Sequence, residues 1–124
     1  MKIHTSYFGR VKKLPPDIVP VSICGKPPFP WAGLKYPKLA PKKGFWVKWH
    51  DEHLGEDFYR DHYKAEVLDL LTQDEVRKEL SELTGGRDCA LLCLETPERF
   101  CHRHIAAEWL GSDVKEWKPE KDHA

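Results

Sequence analysis

The run DCALLCLE at residues 88–95 constrains the fold more than any other stretch of the chain. Apolar residues occupy both alternating sets of positions, with Ala90 and Leu92 on one side and Cys89 and Leu91 on the other. A strand that is apolar on both sides is buried on both faces, which is typical of a central strand in a parallel sheet. The run therefore predicts a sheet whose two faces are both covered.

Strand and helix patterns alternate around that run. The helix after Thr72 carries a capping box, because Glu75 follows three residues after this N-cap, and Gly85 ends it. Strands are predicted at 2–8, 18–25, 45–50 and 114–117, and helices at 56–71, 73–84 and 96–110. This order predicts a single α/β domain over residues 1–124, with three layers and a mostly parallel central sheet flanked by helices.

Prolines are concentrated in the first third of the chain, where eight of the ten lie between residues 15 and 41. Proline excludes helix across most of this stretch. We therefore predict a long loop at 26–49, rich in proline, lysine and aromatic residues, whose Phe29, Trp31 and Tyr36 need a surface to pack against. The end of the chain, 118–124, is predicted to be a frayed tail.

Composition describes a soluble globular domain, with 40% hydrophobic and 32% charged residues. No apolar run approaches the roughly 20 residues that a membrane span needs, and the start MKIHTSYFGR lacks the apolar core of a signal peptide. We therefore predict a cytoplasmic protein with no membrane partner. In that compartment Cys24, Cys89, Cys93 and Cys101 should be reduced thiols.

The net charge of zero hides an asymmetry between the two halves of the chain. Residues 1–50 hold ten Lys/Arg and one acidic residue, a net charge of +9, and residues 51–124 carry the balancing −9. The halves can pack together and neutralise each other, or the first half can present a basic surface to a phosphate-bearing molecule or nucleic acid. Both interpretations stay open at the level of sequence.

Chemistry-bearing residues are concentrated where the 88–95 strand ends. Ligands of parallel sheets bind outside the carboxyl ends of the strands, and alternation places Cys93 and Glu95 on one side there. Thr96 as N-cap and Pro97 at the first helical position predict a helix directly afterwards, whose N-terminus favours ionised groups nearby. The sequence therefore predicts a pocket lined by Cys93 and Glu95.

The predicted helix brings three more candidates to this pocket. Cys101 lies on the face directed at the sheet, and His102 and Arg103 lie near the N-terminus. Cations there oppose the helix dipole, which favours a carboxylate or ligand as their partner, and Glu95 is the internal candidate. Arg99, four residues before Arg103, is a candidate anion-binding residue or a solvated charge.

Four chemical interpretations compete for these residues. Cys93 and Arg99 have the spacing of a tyrosine-phosphatase loop, but the intervening LETPE holds two acids and no glycine, which disfavours phosphate binding. A zinc site is disfavoured because Cys101 and His102 would diverge by about 100° on a helix, with Cys24 distant in sequence. We predict neither a metal site nor a cofactor. Thiol catalysis and anion recognition without reaction stay open.

The segment 91–103, LLC-x-E-x5-CHR, resembles the family catalogued as domain of unknown function 488 (DUF488). The similarity extends to LAP at 39–41, Trp46, Trp49, and the later Phe58, Tyr63, Glu66 and Val67. The family's first strand often reads YTIGHS, and here Ser6-Tyr7-Phe8 replaces its glycine and histidine, so no role of that histidine carries over.

The resemblance implies a three-layer α/β fold and an intracellular setting. It also implies that Cys101, His102 and Arg103 act as a unit, and it adds Tyr63 and Glu66, three apart on one helix face, as further site candidates. Members of the family are suspected of acting on nucleotides or nucleic acid. The resemblance supplies no established reaction.

Aromatic and basic residues interleave at Lys42, Lys43, Trp46 and Lys48, a pattern suited to stacking on bases while holding phosphates. Alternation also allows Trp49 to lie in the core. The nearby HDEH at 50–53 is predicted to consist of exposed turn residues, because Gly55 indicates a loop.

Two functions follow from the sequence. The first is an enzyme acting on a nucleotide, nucleic-acid or other phosphate-bearing substrate. Glu95 and His102 would transfer protons, Arg103 would bind the anion, and Cys93 would be the nucleophile or a wall of the pocket. The second is a non-catalytic module that binds nucleic acid or a nucleotide through the basic first half.

Overall fold

A five-stranded parallel sheet forms the centre of the protein. The computed structural model describes residues 1–28, 30–96 and 100–119. The strands are β1 (Ile3–Tyr7), β2 (Ile18–Ser22), β3 (Leu34–Lys35), β4 (Asp88–Cys93) and β5 (Lys115–Glu116), and they lie in the order β3-β2-β4-β1-β5. The α-helices are α1 (Lys43–Asp51), α2 (Glu56–Glu66), α3 (Gln73–Thr84) and α4 (His102–Leu110). The predicted α/β class with a parallel sheet is confirmed.

β4 is the central strand, as its apolar character predicts. It pairs with β1 on one side, where Tyr7 is the register partner of Cys93, and with β2 on the other, where Ser22 faces Leu92. Every residue from Cys89 to Cys93 is fully buried. Because both neighbours run parallel to β4, the three strands end at one edge of the sheet, and Cys93 lies there.

The two faces of the sheet are covered differently. The face that carries Cys89 and Leu91 packs against the buried residues of all four α-helices. The opposite face, which carries Ala90 and Leu92, is covered by a 3₁₀ helix at Phe8–Lys13 and by indole rings, including Trp31. The covering layer on this second face is therefore thin and aromatic.

The N-terminus of α3 confirms the predicted capping. The Thr72 hydroxyl accepts a hydrogen bond from the Glu75 backbone N–H at 3.1 Å. At the other end Gly85 adopts φ 69°, a left-handed conformation that glycine reaches without strain.

Replacing Thr72 with alanine should lower the free energy of unfolding by about 1 kcal/mol, because the Glu75 N–H loses its acceptor. Urea denaturation measures this change. The exposed Lys78→Ala on the same helix serves as the control and should change stability by less than about 0.5 kcal/mol. Equal stability of the two variants would contradict the capping role.

The stretch 26–49 is not a continuous loop, which corrects the sequence prediction. It contains β3, a 3₁₀ helix at Pro37–Leu39 and most of α1. The strand predicted at 45–50 is helical instead: Phe45 is buried, Trp49 one turn later packs on the core, and Val47 is exposed. The period-2 interpretation failed because three aromatic residues satisfy either pattern over so few positions. Phe29 lies outside the described residues.

Two helix boundaries also differ from prediction. α2 ends at Glu66, and a 3₁₀ turn at Leu68–Leu70 replaces the helical continuation to residue 71. α4 begins at His102, so Thr96 is not its N-cap. Cys101 takes that position with extended backbone angles, φ −152° and ψ 149°. Of the predicted tail 118–124, residues 120–124 lie outside the described residues.

No helix among residues 1–28, 30–96 and 100–119 combines the length and apolar character that crossing a bilayer requires.

Candidate functional site

Three cysteines meet at the carboxyl edge of the sheet. Cys93 ends β4, Cys101 caps α4, and their sulfurs are joined in a disulfide. Cys24, two residues after β2, packs against both of them, together with Phe8. The prediction of four reduced thiols is therefore wrong for one pair in this structure, while Cys24 and Cys89 are free.

Cys24 is a member of this cluster that sequence spacing missed. It was treated as distant because nearly seventy residues separate it from Cys93. Its thiol donates to the Leu92 carbonyl at 3.9 Å, and burial raises its pKa to about 11. The available signal was its place at the end of the second predicted strand, which ends at the same sheet edge as β4. Cys24 is a protonated thiol at neutral pH.

Arg103 is fully buried and holds this edge together. Its Nε and Nη2 donate to the two oxygens of Glu116, each at 2.9 Å, and its Nη1 donates to the Cys93 sulfur at 3.0 Å. The same Nη1 donates to the backbone carbonyl of Glu95 at 2.6 Å. The ring of Tyr7 lies 5.7 Å from the guanidinium carbon. A cation in this position favours the thiolate form of Cys93 when the disulfide is reduced.

The predicted partner and role of Arg103 need correction. Its carboxylate partner is Glu116 on β5, whereas Glu95 contributes its backbone carbonyl. Since its donors point inward to protein groups and the side chain is fully buried, Arg103 does not present itself to an external anion. It acts instead as a positioning residue that joins β4, α4 and β5.

Glu116 is a site residue that the sequence did not single out. It also accepts a hydrogen bond from the Thr5 hydroxyl at 2.6 Å. Burial acts to raise the pKa of Glu116, but the hydrogen bonds from Arg103 and Thr5 outweigh it and hold the pKa below its ordinary value. The carboxylate is therefore charged at neutral pH and balances the buried guanidinium.

His102, the first residue of α4, is buried and neutral. Burial lowers its pKa to about 4. Its Nε2 lies 2.8 Å from the Ile23 carbonyl, which can only accept, so we assign the ring proton to Nε2. The unprotonated Nδ1 lies 3.9 Å from the Cys101 sulfur. In the reduced protein Nδ1 is placed to accept a hydrogen bond from the Cys101 thiol.

Tyr63 packs beside His102, with ring centroids 5.8 Å apart. Its hydroxyl donates to the Leu39 carbonyl at 2.5 Å, and burial holds its pKa well above the ordinary value. Tyr63 therefore links the histidine to the segment after β3. The carboxylate of Glu66, predicted beside it, instead lies 2.7 Å from Nδ1 of His62, within hydrogen-bonding distance.

Cys93, Cys101 and His102 also form a possible metal-ligand set, since their donor atoms all lie within 4.8 Å of one another. After reduction of the disulfide, two thiolates and an imidazole would be donors that Zn²⁺ accepts, and three protein ligands would leave one position open. The predicted divergence of Cys101 and His102 holds only within a helix. Cys101 is the extended N-cap residue, and this brings the two side chains together.

The remaining candidates lie away from this cluster or outside the described residues. Lys42 and Lys43 are exposed where α1 begins, and the exposed Trp46 stacks on His50 with ring centroids 5.2 Å apart. His50 and His53 are exposed, as predicted. Arg99 falls outside the described residues.

The grooves in the described part of the chain include two shallow ones, and the lining of neither includes Cys93, Glu95, His102 or Arg103. One is lined by Trp49, His50, His53 and Leu54. The other, which we term the Trp31 groove, is lined by Phe8, Val11, Trp31, Gly33 and the prolines at 28 and 30. The Trp31 groove shares Phe8 with the cysteine cluster. The pocket predicted beside Cys93 remains a prediction.

Comparison with known proteins gives one match. The family model DUF488-N3a, described as the active DUF488-N3 subclade, matches residues 11–113. No curated protein and no solved structure matches the chain.

Proposed function

We propose that this chain, which belongs to the DUF488 family, is an enzyme. It uses Cys93 as a nucleophile on a nucleotide, nucleic-acid or other phosphate-bearing substrate. The observation that carries the proposal is the 3.0 Å contact between the buried Arg103 guanidinium and the Cys93 sulfur. A fixed cation against a thiol is the arrangement that makes a cysteine nucleophilic near neutral pH.

The neighbouring residues have distinct roles in this proposal. Arg103 stabilises the Cys93 thiolate, and His102 orients the Cys101 thiol by accepting its hydrogen bond through Nδ1. Glu95, partly exposed just beyond the strand, is the acid or base that faces the substrate. Because Cys93 and Cys101 are joined in this structure, the enzyme acts only after their disulfide is reduced. Reduced thiols are the norm in the cytoplasm, where we propose that the protein acts.

The choice of a phosphate-bearing substrate is supported by the positions of exposed lysines. Lys26 follows the end of β2, and Lys35 ends β3. The carboxyl ends of parallel strands lie at one edge of the sheet, which is the edge that carries Cys93. These lysines therefore give the edge a positive potential that attracts anions.

The reactivity of Cys93 tests the nucleophile. After reduction of the protein, iodoacetamide should alkylate Cys93 at pH 7 at least about tenfold faster than the equally buried Cys89, because only Cys93 has a guanidinium that enlarges its thiolate fraction. Peptide mass spectrometry measures the rate at each cysteine. Cys89 is the internal control: it lies in the same strand, burial raises its pKa to about 12, and it should stay unmodified.

A reaction requires a second experiment. The reduced protein is incubated with nucleoside mono-, di- and triphosphates and with short oligonucleotides, and products and Cys93 adducts are detected by mass spectrometry. Turnover should be lost in Cys93→Ala and reduced in Glu95→Ala. A Cys93 no more reactive than Cys89, or turnover that survives Cys93→Ala, would remove the nucleophile and with it the proposal.

A non-catalytic module that binds nucleic acid or a nucleotide is the second candidate. The observation that favours it is the exposure of six lysines in the first half of the chain, Lys12, Lys13, Lys26, Lys35, Lys42 and Lys43. Binding that weakens with salt, as counterion release requires, and that is unchanged by Cys93→Ala and Glu95→Ala would support this candidate and contradict the enzyme.

A further inference from the structure

We infer that the Trp31 groove is a nucleobase-binding subsite, in which an aromatic base stacks on Trp31 while Lys12, Lys13 and Lys26 hold its phosphate. The link between this subsite and catalysis rests on the proposed function, because the subsite would bind the nucleobase of that enzyme's substrate. The binding itself does not depend on Cys93 being a nucleophile.

Trp31 is a pre-positioned aromatic platform. Its indole N–H donates to the Leu34 carbonyl at 3.3 Å, so the polar atom of the ring is satisfied within the protein. The ring lies directly over Gly33: a Cβ at that position would come within 2.5 Å of the ring carbon Cζ2. Phe8 meets the ring edge to face, with centroids 5.3 Å apart at 74°. A ring fixed in this way loses little entropy when a base stacks on it.

The charge around the groove selects an anionic aromatic ligand. Lys12 and Lys13 end the 3₁₀ helix that begins with Phe8, and Lys26 lies two residues before Pro28. All three lysines are exposed, and no acidic residue occurs in the sequence from Ile18 to His50. Val11 and Pro28, which line the groove, lie within two residues of these lysines in sequence. An aromatic platform combined with nearby lysines can bind a base and its phosphate together. An apolar peptide would not require these cations.

The groove lies next to the candidate catalytic cysteine. Phe8, which borders the groove, also packs against the cluster of Cys24, Cys93 and Cys101. The preceding Tyr7 is the register partner of Cys93 in the sheet. Phe8 therefore contacts both the groove and the cluster.

Isothermal titration calorimetry with adenosine 5′-monophosphate, adenosine and ribose 5-phosphate tests the subsite. Adenosine 5′-monophosphate should bind more tightly than either fragment. Trp31→Ala should weaken its binding by about fivefold to a hundredfold, the range of a lost base–aromatic stack. Trp31→Phe, which keeps an aromatic ring and the fold, should restore most of the affinity. The double variant Lys12→Ala/Lys13→Ala should weaken adenosine 5′-monophosphate but not adenosine.

Gly33→Ala provides an independent variant, because its added methyl group forces the Trp31 ring to move without removing it. This variant should weaken adenosine 5′-monophosphate as well, and circular dichroism confirms that it folds. The exposed Leu70→Ala and Lys78→Ala are matched controls far along the sequence and should bind like the wild type. Oligodeoxyadenylate in parallel distinguishes a nucleic-acid strand from a free nucleotide as the source of the base.

Three outcomes would overturn the inference. Ribose 5-phosphate could bind as tightly as adenosine 5′-monophosphate, the folded Trp31→Ala and Gly33→Ala variants could keep full affinity, or gel filtration could show a dimer that depends on Trp31. The titrations are repeated with Cys93→Ser. Trp31-dependent binding that persists there, alongside an unreactive Cys93, would support the subsite while contradicting the proposed enzyme.

Discussion

Replacing Arg103 with methionine should lower the free energy of unfolding by about 3–5 kcal/mol, the usual effect of removing one partner of a buried ion pair. The guanidinium is fully buried, and the Glu116 side chain that it faces is only 14% exposed. Methionine has similar length but no donor, so the Glu116 carboxylate keeps only its hydrogen bond from Thr5. The Glu95 carbonyl and the Cys93 sulfur lose their donor at the same time. Urea denaturation under one fixed redox condition measures the change.

Two further variants separate the charge from the packing. Lys64→Met removes an ion pair with Asp69 whose side chains are 69% and 52% exposed, and it should change stability by less than about 1 kcal/mol. Arg103→Met/Glu116→Leu leaves no unpaired charge in the interior, so it should be more stable than Arg103→Met alone. If Arg103→Met behaved like Lys64→Met, the guanidinium would not be the element that holds this edge together.

The sequence predicted those helices and strands whose local sequence pattern favours the same structure that the packing of the folded protein requires. β4 was predictable because its two apolar faces require two buried faces, whatever its neighbours are. α3 was predictable because Thr72 and Gly85 mark its ends by local hydrogen bonding and backbone conformation. α1 was not, because FWVKWH fits two periods, and only contact with α2 selects the helix. There the Phe45 ring meets Tyr59 edge to face, with centroids 5.3 Å apart.

The sequence predicted which residues form the candidate site better than it predicted how they are arranged. The predicted members meet as expected: Cys93, Cys101, His102 and Arg103. The carboxylate partner of Arg103, however, comes from β5. It could not be predicted because neither the β1 nor the β5 sequence alone determines the register between these two strands. Thr5 and Glu116 are register partners, which places the carboxylate over the site. The direction of the Cys101 side chain was not predicted because it depends on the residue at which α4 begins. Thr96 and Pro97 carry a strong local start signal, yet the helix starts at His102, where the cysteine cluster fixes the chain.

The stability of the protein should fall as the pH is lowered from 6.5 toward 4, and His102 should account for most of the fall. Its pKa is about 4 in the folded state against an ordinary 6.5, chiefly because burial disfavours the charged ring. Between these values the unfolded chain binds a proton that the folded protein does not, so acid favours unfolding. The loss of stability caused by His102 is small above pH 6.5, reaches about 2 kcal/mol at pH 5 and approaches about 3 kcal/mol near pH 4. Burial also lowers the pKa of His4 and His104, which adds to the same trend.

His102→Gln isolates this contribution, because glutamine keeps an N–H donor for the Ile23 carbonyl and does not titrate. Urea denaturation at pH 7 and pH 5 should show a loss between the two conditions that is smaller by about 2 kcal/mol in the variant than in the wild type. His50→Gln, at an exposed position, should leave the loss unchanged. Identical pH dependence in His102→Gln and the wild type would mean that His102 is not held neutral by burial. Its Nδ1 would then not be available at neutral pH to accept a hydrogen bond from the Cys101 thiol, and the role proposed for His102 would be lost.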